Sequence, residues 1–166
     1  MELIGRAHKF ELNNLNTDYI ISGKRKFRTS NLKELSKYIM EDLTPGFYKK
    51  IEKGDFLVGK NNFGCGSSRE QAVWVIKEVG LSAVIAKSFA RIFYRNAFNI
   101  GLLLIECNTD NIKNGDKLEI HLEKGTIKNL TRKTEIFIRP IPPLMLKLLS
   151  NGGVVAHFNK YGGFKI

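Results

Sequence analysis

Gly64-Cys65-Gly66-Ser67-Ser68-Arg69-Glu70 stands between a short apolar run, Phe56-Leu57-Val58, and an amphipathic run from Ala72 to Val79. The order reads as strand, glycine-rich loop, helix start. Ser67 with Glu70 three residues on fits a capping box, which makes Ser67 the expected N-cap of a helix over 67–79. A helix N-terminus presents unpaired N–H groups and a partial positive charge. Glycines ahead of it let a ligand approach the backbone closely. The hydroxyls of Ser67 and Ser68 and the guanidinium of Arg69, added to that edge, make a socket for a carboxylate or a phosphate. The same pattern also describes an ordinary capped helix after a tight loop, and the residue types alone leave both readings open.

Working outward, strand and helix alternate. A strand over 56–59 leads to the helix over 67–79, closed by Gly80; a strand over 83–86 follows. Ser88 is the expected cap of a helix over 89–99, closed near Gly101, and a strand over 102–106 comes next. This repetition implies adjacent parallel strands joined by right-handed crossovers. Their continuous apolar character fits a sheet covered on both faces. Ahead of this core lie an opening strand over 2–10, a turn at Asn13 to Asp18, a short strand Tyr19-Ile20-Ile21 and a basic loop from Ser22 to Ser30. A helix capped by Asn31 then places Leu32, Leu35 and Ile39 on one face, to about Asp42. Beyond residue 110 the period changes. Asp116 to Leu122 and Thr134 to Ile138 alternate as half-exposed strands do, with a hairpin turn at Glu123-Lys124-Gly125. Pro142-Pro143 opens a last helix, ended by Gly152-Gly153. The expected fold class is α/β: one domain over 1–166, with a parallel core sheet plus an antiparallel β section.

The 166 residues suit one domain with its own core. No run reaches the roughly 18 apolar residues of a membrane span, and the start carries no signal-peptide pattern. Two cysteines, Cys65 and Cys107, make no disulfide framework, so a cytoplasmic setting is expected. The formal net charge of +11 favours anionic partners: nucleic acid, an acidic protein or anionic metabolites. The lysines are spread along the chain, and the dense cluster is Lys24-Arg25-Lys26-Phe27-Arg28. A nucleic-acid-binding module would need exposed aromatic rings beside lysines on one face. Most of the 11 phenylalanines instead occupy apolar periodic positions, so no specific nucleic-acid partner is expected.

Several motifs fail. Gly59 and Gly64 have the spacing of half a P-loop, but Cys65-Gly66 stand where Lys and Ser/Thr are required. Arg69 takes the place of the third glycine of a dinucleotide fingerprint. His8, His121 and His157 are isolated in sequence, and no Cys-x-x-Cys or His-x-x-x-His pair marks a metal site. No metal-binding residue is therefore expected. Cys65 could be activated by a helix N-terminus or could fill a tight loop, and the second reading is preferred. Asn16-Thr17-Asp18 reads as a self-bonded turn, with support of Arg69 by Asp18 as the alternative. Phe89, Ile92 and Phe93 lie at core-facing helical spacing, which leaves Arg91 and Arg95 for the surface or an interface.

Two long segments, Gly59-Lys-Asn-Asn-Phe-Gly-Cys-Gly-Ser-Ser-Arg-Glu70 and Ala86-Lys-Ser-Phe-Ala-Arg-Ile-Phe-Tyr-Arg-Asn96, closely resemble the small subunit of 3-isopropylmalate dehydratase. That subunit is similar to the swivelling last domain of aconitase. Gly5 to Phe10, Asn16-Thr17-Asp18 and the segment from Leu148 to Phe158, with Gly152-Gly153 ahead of a closing strand, match as well. The resemblance implies a three-layer β/β/α swivelling domain. It implies a separate large subunit carrying a 4Fe-4S iron–sulfur cluster on three cysteines, with no cofactor bound by this chain and no activity without the partner. When isolated, the chain is left free to self-associate. The implied reaction, in leucine biosynthesis, moves a hydroxyl between neighbouring carbons of a malate-type di- or tricarboxylate by dehydration and rehydration.

The resemblance also assigns roles. Ser67 would be the catalytic base, acting as an alkoxide, and its ionised form would need the surrounding N–H groups and Arg69. Ser68 and Arg69 would bind substrate, Arg69 forking onto a carboxylate. Lys26-Phe27-Arg28-Thr29 matches an aconitase segment whose arginine binds a substrate carboxylate, which makes Arg28 a further substrate-binding candidate. Dehydratases dedicated to isopropylmalate often carry an apolar residue there. Arg28 would suit a third carboxylate, as in homocitrate, so homoaconitase and 2,3-dimethylmalate-type dehydratases stand as alternatives. Lys24, Arg25 and Lys26 would draw anions in or meet the large subunit.

Overall fold

The chain's first strand serves two sheets at once. In the computed structural model, which describes residues 1–67 and 69–163, β1 (Glu2–Lys9) opens the fold. Its first half pairs antiparallel with β5 (Lys117–His121), from Glu2 opposite His121 to Arg6 opposite Lys117. Its last three residues pair parallel with β2 (Phe56–Val58), Ala7 lying opposite Phe56. Parallel pairing continues through β3 (Ala83–Ala86) to β4 (Leu103–Glu106). On the other side β5, β6 (Thr126–Asn129) and β7 (Thr134–Phe137) form an antiparallel meander. The seven strands run in the order β4-β3-β2-β1-β5-β6-β7.

The two-residue period of the strands divides the core. Leu57 and Val84 face the crossover helices, where they meet Val73 and Ile76 of α4 (Glu70–Glu78) and Phe93 and Ala97 of α5 (Arg91–Ile100). Phe56, Val58, Ile85 and Ile105 face the other way, into a second cluster with Leu118, Ile120 and Ile127 of the antiparallel strands. The meander thus folds back over the parallel strands, giving three layers: helices, parallel sheet, antiparallel sheet. This is the expected β/β/α arrangement, and each parallel strand is covered on both faces.

Several local expectations are corrected. Tyr19-Ile20-Ile21 is not a strand: α1 (Thr17–Ile20) is a helical turn, and Ile20 and Ile21 are fully buried in the helix-side core. The basic loop contains a further turn, α2 (Gly23–Lys26). Asn31 does cap α3 (Leu32–Leu35), accepting from the Glu34 amide at 3.2 Å. The helix does not run to Asp42, however; it tightens into a 3-10 turn over Ser36–Tyr38, and Met40 takes a left-handed backbone. Ser88 does not cap α5, which starts after Ala90; its hydroxyl accepts the Asn62 amide at 2.8 Å. Ile92 is not core but half-exposed. Pro143 opens α6 (Pro143–Ser150) as expected, but the chain after Gly152-Gly153 is a helix, α7 (Val154–Tyr161), not a closing strand. α7 packs on α5 and α6 instead of joining a sheet edge.

Where the two half-sheets meet, a buried hydrogen bond ties β1 to the residue just before β2. His8 Nε2 lies 2.7 Å from Asp55 Oδ2, and Asp55 also accepts the amides of Arg6 (2.8 Å) and Glu52 (3.0 Å). Burial by itself would raise the Asp55 carboxyl, but the amide of Glu52, the His8 ring and the amide of Arg6 outweigh it and hold it below its ordinary value of 3.8. Its stabilising contribution is therefore full above that value and is lost as pH falls through the lower, folded-state value. Asp55→Asn is expected to cost about 1–3 kcal/mol at pH 7 in urea unfolding, because buried donors lose a charged acceptor. The gap to the unsubstituted protein should close as the solution is acidified below 3.8.

Candidate active site

The glycine-rich loop sits beyond the carboxyl end of β2, where open α/β sheets place their ligand sites. It is held there by the segment that follows β1. The Gly64 amide donates to the Leu15 carbonyl (2.7 Å) and the Thr17 amide to the Cys65 carbonyl (2.9 Å). Asn13 and Asn14 bond the side chains of Asn61 and Asn62 at 3.0 and 2.8 Å. The Cys65 thiol donates to the Asn14 carbonyl at 3.3 Å, so this cysteine is a packed loop residue. Beneath the loop, Phe63 is fully buried and meets the rings of Phe89 and Phe93 edge-on at 6.0 and 5.5 Å.

Gly64 is a position where no side chain fits. Its φ of +77° suits glycine, and a Cβ there would lie 2.2 Å from Phe93 Cγ.

Ser67 is exposed at the tip of the loop. It does not cap α4, which corrects the capping-box reading. The N-cap position is held by Arg69 with extended φ and ψ and no side-chain cap bond, and the helix starts at Glu70. The Ser67 hydroxyl instead lies 3.3 Å from the Thr17 hydroxyl, and Thr17 Oγ1 also donates to the Ser67 carbonyl at 3.1 Å. A base and a cap would have competed for one oxygen; here the helix makes no claim on it. Ser68 lies outside the described residues.

Arg69 is held by an ion pair with Asp18. Its Nη1 bonds Asp18 and, at 3.3 Å, the Ile21 carbonyl at the end of α1. Nε and Nη2 have no partner among the described residues, which leaves the forked edge of the guanidinium for a carboxylate. Asp18 thus supports Arg69 while Asn16 closes the turn, accepting the Tyr19 amide at 3.0 Å. Both readings of Asn16-Thr17-Asp18 hold together. What sequence reasoning missed is Thr17, fully within the same motif but with no local signal of its partner 50 residues on.

Arg28 is not among these groups. It is exposed and lines a separate basic groove of about 530 Å³ with Lys24, Lys37 and Lys49. Arg25, expected to serve anions or the partner, is instead committed within the chain. It forks onto Glu41 (2.7 and 3.0 Å) and lies 4.0 Å over the Tyr38 ring. The loop touches the site through Gly23, where a side chain would meet Arg69 Nη2 at 3.5 Å.

The family profile for the aconitase C-terminal domain matches residues 8–110. The small subunit 2 of 3-isopropylmalate dehydratase from Archaeoglobus fulgidus is 51% identical over the whole of both chains. The chain belongs to the 3-isopropylmalate dehydratase small-subunit family. Small subunit 1 from Thermotoga maritima is 48% identical over 96% of each chain. The crystal structure of 3-isopropylmalate dehydratase from Methanocaldococcus jannaschii superposes with a TM-score of 0.91 at 47% identity, covering 98% of this chain and 96% of that one.

Of the chain's two cysteines, Cys65 is held in the loop, and burial pushes the Cys107 thiol up to about 12. Among the described residues, Glu2, Glu119 and His121 bring ligating atoms within 4.8 Å of one another, an oxygen-and-imidazole set unlike cluster ligands. No helix among the described residues is long and apolar enough to cross a membrane.

Gly64→Ala should lower the melting temperature, costing about 1–3 kcal/mol, since both backbone strain and the Phe93 contact oppose it. A thermal scan checks this.

Proposed function

We propose that this chain is the small subunit of a hydro-lyase that isomerises 2-isopropylmalate to 3-isopropylmalate by dehydration and rehydration, and that it works only when docked on a large subunit bearing the iron–sulfur cluster. Identity near 50% over full-length relatives of that name supports the reaction assignment. The observation that carries the chemistry is the exposed Ser67 hydroxyl, uncommitted to the helix, on the same loop as an arginine with a free forked edge.

Elimination begins at the carbon next to a carboxylate. Ser67 Oγ takes the proton; the C–H bond breaks, an O–H bond forms and the electron pair stays on the substrate. The carboxylate oxygens take up the growing negative charge. Arg69, held from behind by Asp18, offers Nε and Nη2 to those oxygens, and the amides at the start of α4 add their dipole. Ser68 contributes a further donor to the substrate. Everything at the departing hydroxyl is left to the large subunit. Arg28, exposed on the basic groove, favours a second reading: a substrate with a third carboxylate, as in homoaconitase.

Two measurements test this in the reconstituted two-subunit enzyme. Ser67→Ala should lower kcat by about 10²–10⁴, the range of a general base, with KM little changed and assembly intact. Unchanged turnover would remove Ser67 from the base role. Arg28→Val should lose any homocitrate turnover while keeping or improving isopropylmalate turnover. Wild-type turnover of homocitrate and none of isopropylmalate would replace the first reading by the second.

A further inference from the structure

A serine has to ionise for the proposed chemistry, and one neighbouring group is able to help. The hydroxyl in contact with Ser67 Oγ is that of Thr17, 3.3 Å away. Thr17 is 2% exposed, its amide is fixed to the Cys65 carbonyl at 2.9 Å, and its Oγ1 has a second acceptor, the Ser67 carbonyl, at 3.1 Å. One hydroxyl proton therefore faces two acceptors on the same residue. We propose that Thr17 is a positioning residue for this reaction, a buried hydroxyl rotor that tunes how readily Ser67 gives up its proton. The proposal rests on the reading of Ser67 as the base.

In the neutral state Thr17 donates to the Ser67 carbonyl, and the Ser67 hydroxyl donates to Thr17 Oγ1. When exposed Ser67 loses its proton to solvent, that arrangement no longer serves. The Thr17 O–H turns about its C–O bond and donates to the Ser67 alkoxide, a charge-assisted bond stronger than the one it leaves. When the alkoxide takes the substrate proton, the rotor turns back. No proton passes through Thr17; the bonds made and broken are the substrate C–H and the Ser67 O–H. Arg69 makes no bond to the Ser67 hydroxyl among the described residues; its Nη1 is held on Asp18 and the Ile21 carbonyl. The α4 amides begin three residues beyond Ser67, at Glu70, and make no bond to its hydroxyl among the described residues. The Thr17 hydroxyl is held toward the loop by its contacts with the Ser67 carbonyl and hydroxyl.

The test uses the reconstituted enzyme with Thr17→Val, Thr17→Ser and Ser67→Ala. Thr17→Val keeps the shape and removes the donor. It is expected to lower kcat about 10- to 100-fold, somewhat less than the loss of a full oxyanion-hole donor. The rate rises with pH as the base deprotonates. Removing a donor to the charged form raises the base's pKa, so that limb of the pH–rate profile should move to higher pH. Thr17→Ser should restore both the rate and the limb, which a purely structural role for the methyl group would not predict. Melting temperature and binding to the large subunit show whether each variant is folded. A Thr17→Val enzyme with unchanged rate and pH limb, or a Thr17→Ser enzyme as slow as Thr17→Val, overturns the proposal. Loss of turnover in Ser67→Ala beside a normal Thr17→Val overturns the rotor alone. Retained turnover in Ser67→Ala overturns the base reading and the rotor with it.

Discussion

The site depends on one lateral attachment: the segment from Asn13 to Ile21 is zipped onto the loop from Asn61 to Arg69. Backbone bonds join Asn14 to Asn61, Leu15 to Gly64 and Thr17 to Cys65; side chains join Asn13 to Asn61, Asn14 to Asn62, Thr17 to Ser67 and Asp18 to Arg69. A net hydrogen bond contributes about 0.5–1.5 kcal/mol, so the ladder as a whole outweighs what a single helix cap could add. It ties down a glycine-rich loop, which has much conformational freedom to lose, at the end of β2. The strands beneath supply the anchor points, since β1 and β2 are adjacent and parallel and their following segments leave the sheet side by side.

That arrangement divides labour along the chain. β1 joins both half-sheets, and the buried His8–Asp55 pair lies at the junction. The helical layer carries Arg69 at the threshold of α4 and sets the Phe63, Phe89 and Phe93 rings under the loop. The basic groove is built separately, and Arg25 on its wall is used to brace the surface against Glu41 and Tyr38.

The two serines expected as helix caps, Ser67 and Ser88, were both diverted to the same loop. Ser88 accepts the Asn62 amide, and Ser67 pairs with Thr17. Each helix then starts two or three residues later, with Ala90 or Arg69 at the boundary and no side-chain cap. A hydroxyl offered a partner 26 or 50 residues away has no reason to spend its bond on a helix that tertiary packing already holds. Tyr19-Ile20-Ile21 followed the same rule: β-branched residues formed a helical turn because the core wanted both isoleucines and Asn16 closed the turn.

Hydrophobic period and glycine placement, both local, were enough to determine the parallel core, the two outer strands of the antiparallel meander (its middle strand, Thr126–Asn129, was not read), the C-terminal ends of α4 and α5, and the loop that carries Ser67 and Arg69. The motifs in that loop also carried the family. These features are set by short-range sterics and by which face of an element is apolar, and such information is contiguous in the chain. Only the tertiary structure decided which groups Ser67 and Arg69 touch, that Val154–Tyr161 is helical, and that Arg28 sits apart from the other candidates. Those outcomes depend on which distant segments the sheet order brings together, and a hydroxyl or a guanidinium accepts whichever partner the fold places within reach.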